Sequence, residues 1–172
     1  MLAVLQGLTE FLPVSSSGHL LLPAALFGWQ DQGLTLDIAV HLGTLAAVIL
    51  YLRRDLMGLV AGSYKWLLKR EESYESRLAL KLIVATLPAG LAGLALRAVI
   101  EANARSLAIV AATSIIFAVL LWLADRSGAR RANAVPFSEL TVPGALFIGV
   151  AQAFALIPGT SRSGVTMTAA RF

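Results

Sequence analysis

"LQGLTEFLPVSSSGHLLL", Leu5 to Leu22, is an apolar run broken by one carboxylate, three serines, a proline and a histidine. On neither side of Pro13 is the apolar stretch long enough to cross a bilayer, which takes about 20 residues as a helix. Met1–Leu12 and Leu20–Trp29 therefore read as two half-helices joined by a polar turn at "PVSSSG", a re-entrant hairpin within residues 1–29. Such irregular backbone is tolerated at membrane depth only where protein or water covers it.

Composition identifies the solvent. Of 172 residues, 58% are hydrophobic and 14% charged, and the mean hydropathy is +0.77. A soluble domain carries about 25% charged residues, so this chain reads as one transmembrane domain, a bundle of helices. It has no cysteine, which excludes disulfides and thiolate metal sites. The net charge of +4 and pI near 10.0 fit basic cytoplasmic loops, not a nucleic-acid partner. The first twelve residues hold no basic n-region and no A-x-A-like site follows, so the start does not read as a signal peptide.

Leu34–Leu52, Leu78–Leu96 and Leu107–Ala124 read as spans. The first carries Asp37 and His41. The second carries Lys81 near one end, where it can snorkel, and "LPAGLAG", which predicts a kink or a close helix contact. The third is uncharged and ends near Trp122, an interfacial anchor. Leu140–Ile157 is also uncharged, ends at Pro158, and begins a second re-entrant motif over 140–172. Within 53–77, Leu56–Lys69 suits a helix lying on the membrane surface.

Loop charges orient the chain. Arg53–Arg77 holds six Lys/Arg, while Arg126–Glu139 holds Arg126, Arg130 and Arg131; the loop between them, Arg97–Ser106, holds only Arg97 and Arg105. The positive-inside rule makes both basic loops cytoplasmic. Counting spans from there turns both polar motifs, near 13–19 and after Pro158, toward the outer face.

The second motif, "QAFALIPGTSRSGVT" from Gln152 to Thr166, echoes the first. Each has Gln, an apolar turn or two, Pro, a Ser/Thr cluster and Gly. Gln6 precedes Pro13 by seven residues and Gln152 precedes Pro158 by six. Broken helices in both halves are the mark of inverted-repeat membrane folds, whose sites lie where the repeats meet.

The residue types point to phosphate chemistry. Gln6 and Glu10 share a helix face, and an ionisable group inside an apolar membrane segment is a functional candidate. Ser15, Ser16 and Ser17 place hydroxyls before His19. In "PGTSRSG", Gly159 lets backbone amides approach an anion, and Arg162 matches phosphate oxygens in bidentate fashion at the start of a new helix. Asp37 and His41 are either a second polar element near the site or a capping and packing pair. No Walker loop, HExxH, CxxC or EF-hand loop is present.

"QGLTEFLPVSSSGH" and "PGTSRSGVT" together resemble the paired signatures of the undecaprenyl-diphosphate phosphatase family of the bacitracin-resistance type. The resemblance implies an all-α integral protein of the bacterial inner membrane, with re-entrant half-helices and an inverted-topology repeat. It also implies removal of one phosphate from undecaprenyl diphosphate on the periplasmic side, to recycle the cell-wall lipid carrier. By the same resemblance, Glu10, Ser16, His19 and Arg162 are the catalytic candidates. Ser15, Gly159, Ser161, Arg162, Ser163 and Thr166 are the substrate-binding candidates. Glu10 either holds a divalent cation, magnesium or calcium, or acts as base, with Gln6 placing a water or the ion. Ser16 is nucleophile or phosphate contact, and His19 the proton carrier. The expected partners are the polyprenyl diphosphate lipid, membrane lipids and a second copy of the chain in a homodimer. The chain stops at Phe172, eight residues past Gly164, so the second repeat is expected to be incomplete. The rival reading is a flippase, transporter or inactive fragment that binds the lipid headgroup without chemistry.

Overall fold

The computed structural model describes residues 1–30, 33–103, 106–128 and 139–172, and every regular element among them is helical. The chain is an all-α membrane protein. Arg105, Arg130 and Arg131, used above to orient it, lie outside the described residues.

Helices α1 (Leu2–Thr9) and α2 (Ser16–Phe27) flank the Pro13 turn. With 8 and 12 residues, they are about 12 and 18 Å long against a hydrocarbon core of about 30 Å. Neither spans alone. Ser15 starts α2 as its N-cap, accepting the Gly18 N–H at 3.2 Å, which satisfies one of the orphan donors of the first turn.

Helix α3 (Gly33–Tyr51) coincides with the first long apolar segment, and α4 (Arg53–Lys69) follows after a 74° bend. Helix α4 carries Arg53, Arg54, Lys65 and Lys69 beside exposed Met57, Val60, Leu67 and Leu68. That mixture suits the interface better than the bilayer centre. Gly62 seats α4 against the start of α5 (Tyr74–Ala95), where a Cβ would stand 2.8 Å from Glu75 Cβ. Ser73 and Ser76 form a capping box there.

Helix α6 (Arg97–Asn103) leads toward α7 (Leu107–Gly128). Helices α5 and α7 are long and apolar enough to cross a membrane, and a third crossing is available if α3 and α4 are one bent span. The last long apolar segment folds differently: α8 (Val142–Ala153), a 3-10 turn at Phe154–Leu156, then α9 (Arg162–Arg171). It repeats the short-helix, turn, short-helix plan of the opening stretch.

Packing follows the rules for lipid, not water. Among the described residues, the buried apolar side chains are Leu20, Leu21, Val110, Val165 and three alanines, while most leucines of the long helices face outward. Close approach through small residues replaces a large core. Helix α8 packs most extensively on α5, because Gly149 lies flat on its backbone: a Cβ there would be 2.6 Å from the Ala85 carbonyl oxygen. The predicted special feature at "LPAGLAG" resolves into a contact, since Gly93 faces Leu156 and α5 is continuous through Pro88. Arg171 at the end of α9 pairs with Asp125 of α7.

Candidate active site

The first turn gathers a polar network in an apolar chain. Ser16 Oγ donates to Glu10 Oε2 at 2.6 Å, and Gln6 Nε2 donates to the same oxygen at 2.7 Å. The helical interval between Gln6 and Glu10 puts both on one face, and the turn at Pro13 brings Ser16 back onto it. His41, from α3, places Nε2 3.6 Å from Glu10 Oε2. Its Nδ1 is bonded to the Asp37 carbonyl at 2.7 Å. Gln6 is fully buried, yet its carbonyl Oε1 has no hydrogen-bond partner among the described residues. An unsatisfied buried acceptor costs about 1–3 kcal/mol, so this atom is poised for a donor or a cation.

The second turn is built on the same local plan. Ser161 caps α9 by accepting the Gly164 N–H at 3.2 Å and bonds Ser163 at 3.0 Å. In the first turn Ser15 accepts the Gly18 N–H at 3.2 Å and bonds Ser17 at 3.2 Å. The capping serine, not the proline, sets the register of the repeat: the interval from Gln6 to Ser15 equals that from Gln152 to Ser161. Ser16 and Arg162 thus hold the same position, the first residue of α2 and of α9.

The two turns touch. Ser163 Oγ donates to the Leu12 carbonyl at 2.7 Å, with Ser161 Oγ at 3.4 Å from the same oxygen. Helix α7 supports them from below. Thr113 donates to the Pro158 carbonyl at 2.5 Å and Ser114 to the Gly159 carbonyl at 2.9 Å. Val110 lies against both Gly18 and Gly159. Gly159 has φ +89°, a conformation reserved for glycine, and its open α-carbon is what lets the turn lie on α7.

Between the turns and α7 lies a cavity of about 520 Å³, lined by Ser15, His19, Ser114 and Ser161 at its polar end and by apolar residues including Leu22, Phe117 and Leu121. His19 Nδ1 is bonded to the Ser15 carbonyl at 2.7 Å. A carbonyl only accepts, so that nitrogen carries the proton and Nε2 is the basic one. Arg162 is exposed, and its guanidinium has no partner among the described residues. Thr166, by contrast, spends its hydroxyl on the Arg162 and Ser163 carbonyls of its own helix. Of the expected set, Gln6, Glu10 and Ser16 share one network, while Ser15, His19, Gly159 and Ser161 border one cavity. Ser163 locks the turns together, and Thr166 is turned back into α9.

A family model described as bacitracin resistance protein BacA matches residues 1–172. The chain belongs to that family. It is 53% identical over 169 residues to an undecaprenyl-diphosphatase of Saccharophagus degradans, covering 98% of this chain and 62% of that protein. With proteins of the same name it is 54% identical over 172 residues in Hahella chejuensis and 50% over 170 in Alcanivorax borkumensis. These matches cover 100% and 99% of this chain and 63% of each relative, so the chain spans less than two thirds of the relatives it matches.

The donors in this BacA-family chain fit a hard divalent cation. Among the described residues no group of three or more His, Asp or Glu gathers. A magnesium-type ion, however, uses one or two carboxylates and takes its remaining ligands from water and substrate phosphates. Glu10 and, with its amide turned over, the Gln6 carbonyl would meet that need.

The sequence alone leaves His41 undecided and does not single out Thr113, Ser114 or Val110. No motif marks the α7 residues, which sit in a plain apolar span. Only the intervals of three and four from Val110 to Thr113 and Ser114 hint at a shared face.

Proposed function

We propose that the chain hydrolyses undecaprenyl diphosphate to undecaprenyl phosphate and inorganic phosphate at the periplasmic face of the bacterial inner membrane. The observation that carries this reading is the 2.6 Å hydrogen bond from Ser16 to Glu10, a hydroxyl with its proton already directed at a carboxylate. A hydroxyl so paired is set up to attack phosphorus, and the names of the three relatives support the same reaction.

In this mechanism Arg162 and the α9 N-terminus hold the diphosphate and stabilise charge as it builds on the transferred group. Glu10 takes the Ser16 proton as Oγ attacks the terminal phosphorus. The bridging P–O bond breaks, and its electron pair leaves on undecaprenyl phosphate. Water then attacks the phosphoserine, His19 Nε2 accepting its proton, while the Oγ–P bond breaks and Glu10 returns its proton to Ser16 Oγ. Glu10 and Gln6 would hold a magnesium or calcium ion, which would supply charge neutralisation at the diphosphate. The apolar end of the cavity, with Leu22, Phe117 and Leu121, takes the first isoprenoid units. The two turns that carry these groups meet within one chain.

Purified protein in detergent, given a long-chain polyprenyl diphosphate, is expected to release phosphate, and Ser16→Ala to abolish that release. Lipid movement between vesicle leaflets with no phosphate release would instead support a flippase. Full release by Ser16→Ala would remove Ser16 as nucleophile.

A further inference from the structure

His41 lies outside the two motifs, on α3, yet its imidazole reaches the centre of the first network. Its Nδ1 is bonded at 2.7 Å to the Asp37 carbonyl, which can only accept, so Nδ1 carries a proton. The other nitrogen, Nε2, then faces Glu10 Oε2 at 3.6 Å. If the ring is neutral, a lone pair confronts a carboxylate, an arrangement that calls for a positive charge between them. Ligating histidines show this pattern: one ring nitrogen is fixed by a carbonyl and the other is free for the metal.

A second observation converges on the same point. Gln6 Oε1 is buried with no partner, while the amide nitrogen donates to Glu10 Oε2 at 2.7 Å. A half turn of the amide exchanges these atoms and sets two oxygens side by side. That is unfavourable when they are bare and favourable with a cation between them. The distances also suit one ion. Donors bonded at about 2.1 Å lie roughly 3.0 Å apart in octahedral and 3.4 Å apart in tetrahedral geometry. The Glu10–His41 separation therefore needs to close by only a few tenths of an ångström. Side-chain exposures of 39% for His41 and 25% for Glu10 leave an ion a way in.

We propose that His41 Nε2 is a ligand of the divalent cation, completing with Glu10 and Gln6 a mixed nitrogen and oxygen site that favours manganese over magnesium. This rests on the reading of Glu10 and Gln6 as cation holders. The preference over magnesium follows from ligand chemistry: manganese, although it also takes oxygen ligands, accepts an imidazole nitrogen more readily than magnesium, which keeps to oxygen donors and water.

The test uses Mn²⁺ added to the full chain in detergent micelles, with pulsed EPR as the readout. The wild type and His19→Gln are expected to show modulation from a directly bound ¹⁴N, and His41→Gln and His41→Ala to lose it. Competition with Mg²⁺ should show the manganese preference falling roughly tenfold or more in His41→Gln. Modulation that survives in His41→Gln, or Glu10-dependent Mn²⁺ binding with no ¹⁴N modulation in the wild type, would overturn His41 as ligand and leave the Glu10 site standing. Mn²⁺ binding unchanged in Glu10→Gln would overturn the site as a whole. Phosphate release, measured separately, distinguishes either result from failure of the phosphatase reading.

Discussion

Substituting alanine at Gly159 isolates the contact that holds the second turn on α7. Gly159 sits at φ +89°, and a Cβ there would stand 2.6 Å from Val110 Cα as well as against the Val110 carbonyl and the Thr113 hydroxyl. Two costs combine. Left-handed backbone disfavours alanine by about 1–2 kcal/mol, and forcing a methyl group onto neighbouring backbone adds about 1–3 kcal/mol. Gly28 supplies the control, because it also has positive φ, 66°, but open space where its Cβ would go. Gly28→Ala should therefore cost about 1–2 kcal/mol from backbone alone, and Gly159→Ala about 2–5 kcal/mol in all. Unfolding titration in mixed micelles measures both. Moving the turn also shifts Ser161 and Arg162, and a displacement near 1 Å is enough to lower phosphate release by about 100-fold. If the two variants agree within about 0.5 kcal/mol, the packing of the turn on α7 is not what orders it.

Other perturbations separate the roles assigned to the site. Glu10→Gln keeps the shape and removes the base, so phosphate release should fall by about 10²–10⁴-fold; a loss of less than threefold (about 0.6 kcal/mol) would exclude Glu10 as the base. Arg162→Lys keeps the charge but not the fork, and should lose about 1.5–3 kcal/mol of transition-state binding, read from kcat/KM; equal rates would mean a point charge suffices. Thr113→Val leaves the Pro158 carbonyl without its donor and should cost about 0.6–2 kcal/mol in the same micelle titration, with no cost if that bond is incidental. A cysteine at Ser63, on α4, should react with impermeant maleimide in inside-out vesicles and not in intact spheroplasts, and labelling in spheroplasts would reverse the orientation.

Much of the fold is legible because lipid imposes coarse rules. Runs near twenty apolar residues mark α3, α5 and α7, and proline beside serine marks where the short helices break. The charge change at Leu52–Arg53 anticipates the 74° bend into α4. The close contacts are less legible. Gly90 and Gly93 share one short segment, yet only Gly93 meets a neighbour, Leu156. The tightest approach of a glycine within the described helices, Gly149 on Ala85, lies in a segment with nothing to single it out. Helix rotation decides which glycine faces a partner, and a uniformly apolar helix carries no periodicity to reveal that rotation. The site divides in the same way. Local chemistry exposes Glu10, Ser16 and Arg162, whereas His41 stays undecided and Thr113 unmarked until α3 and α7 are brought beside the turns.

The register of the repeat explains why two similar turns can do different work. Aligned on proline, the two motifs are out of step by one residue; aligned on the capping serines Ser15 and Ser161, their hydrogen bonds coincide pair by pair. Each cap fixes the backbone of the next residue at the start of a helix, where the dipole favours an anion. In one turn that residue is Ser16, tied to Glu10; in the other it is Arg162, left open to solvent. A phosphoryl transfer needs both a nucleophile with a base and a cation for the charge that develops. One cap geometry, used twice and joined through Ser163 and the Leu12 carbonyl, supplies each from a separate half of the chain, so in the proposed reaction neither turn is competent without the other.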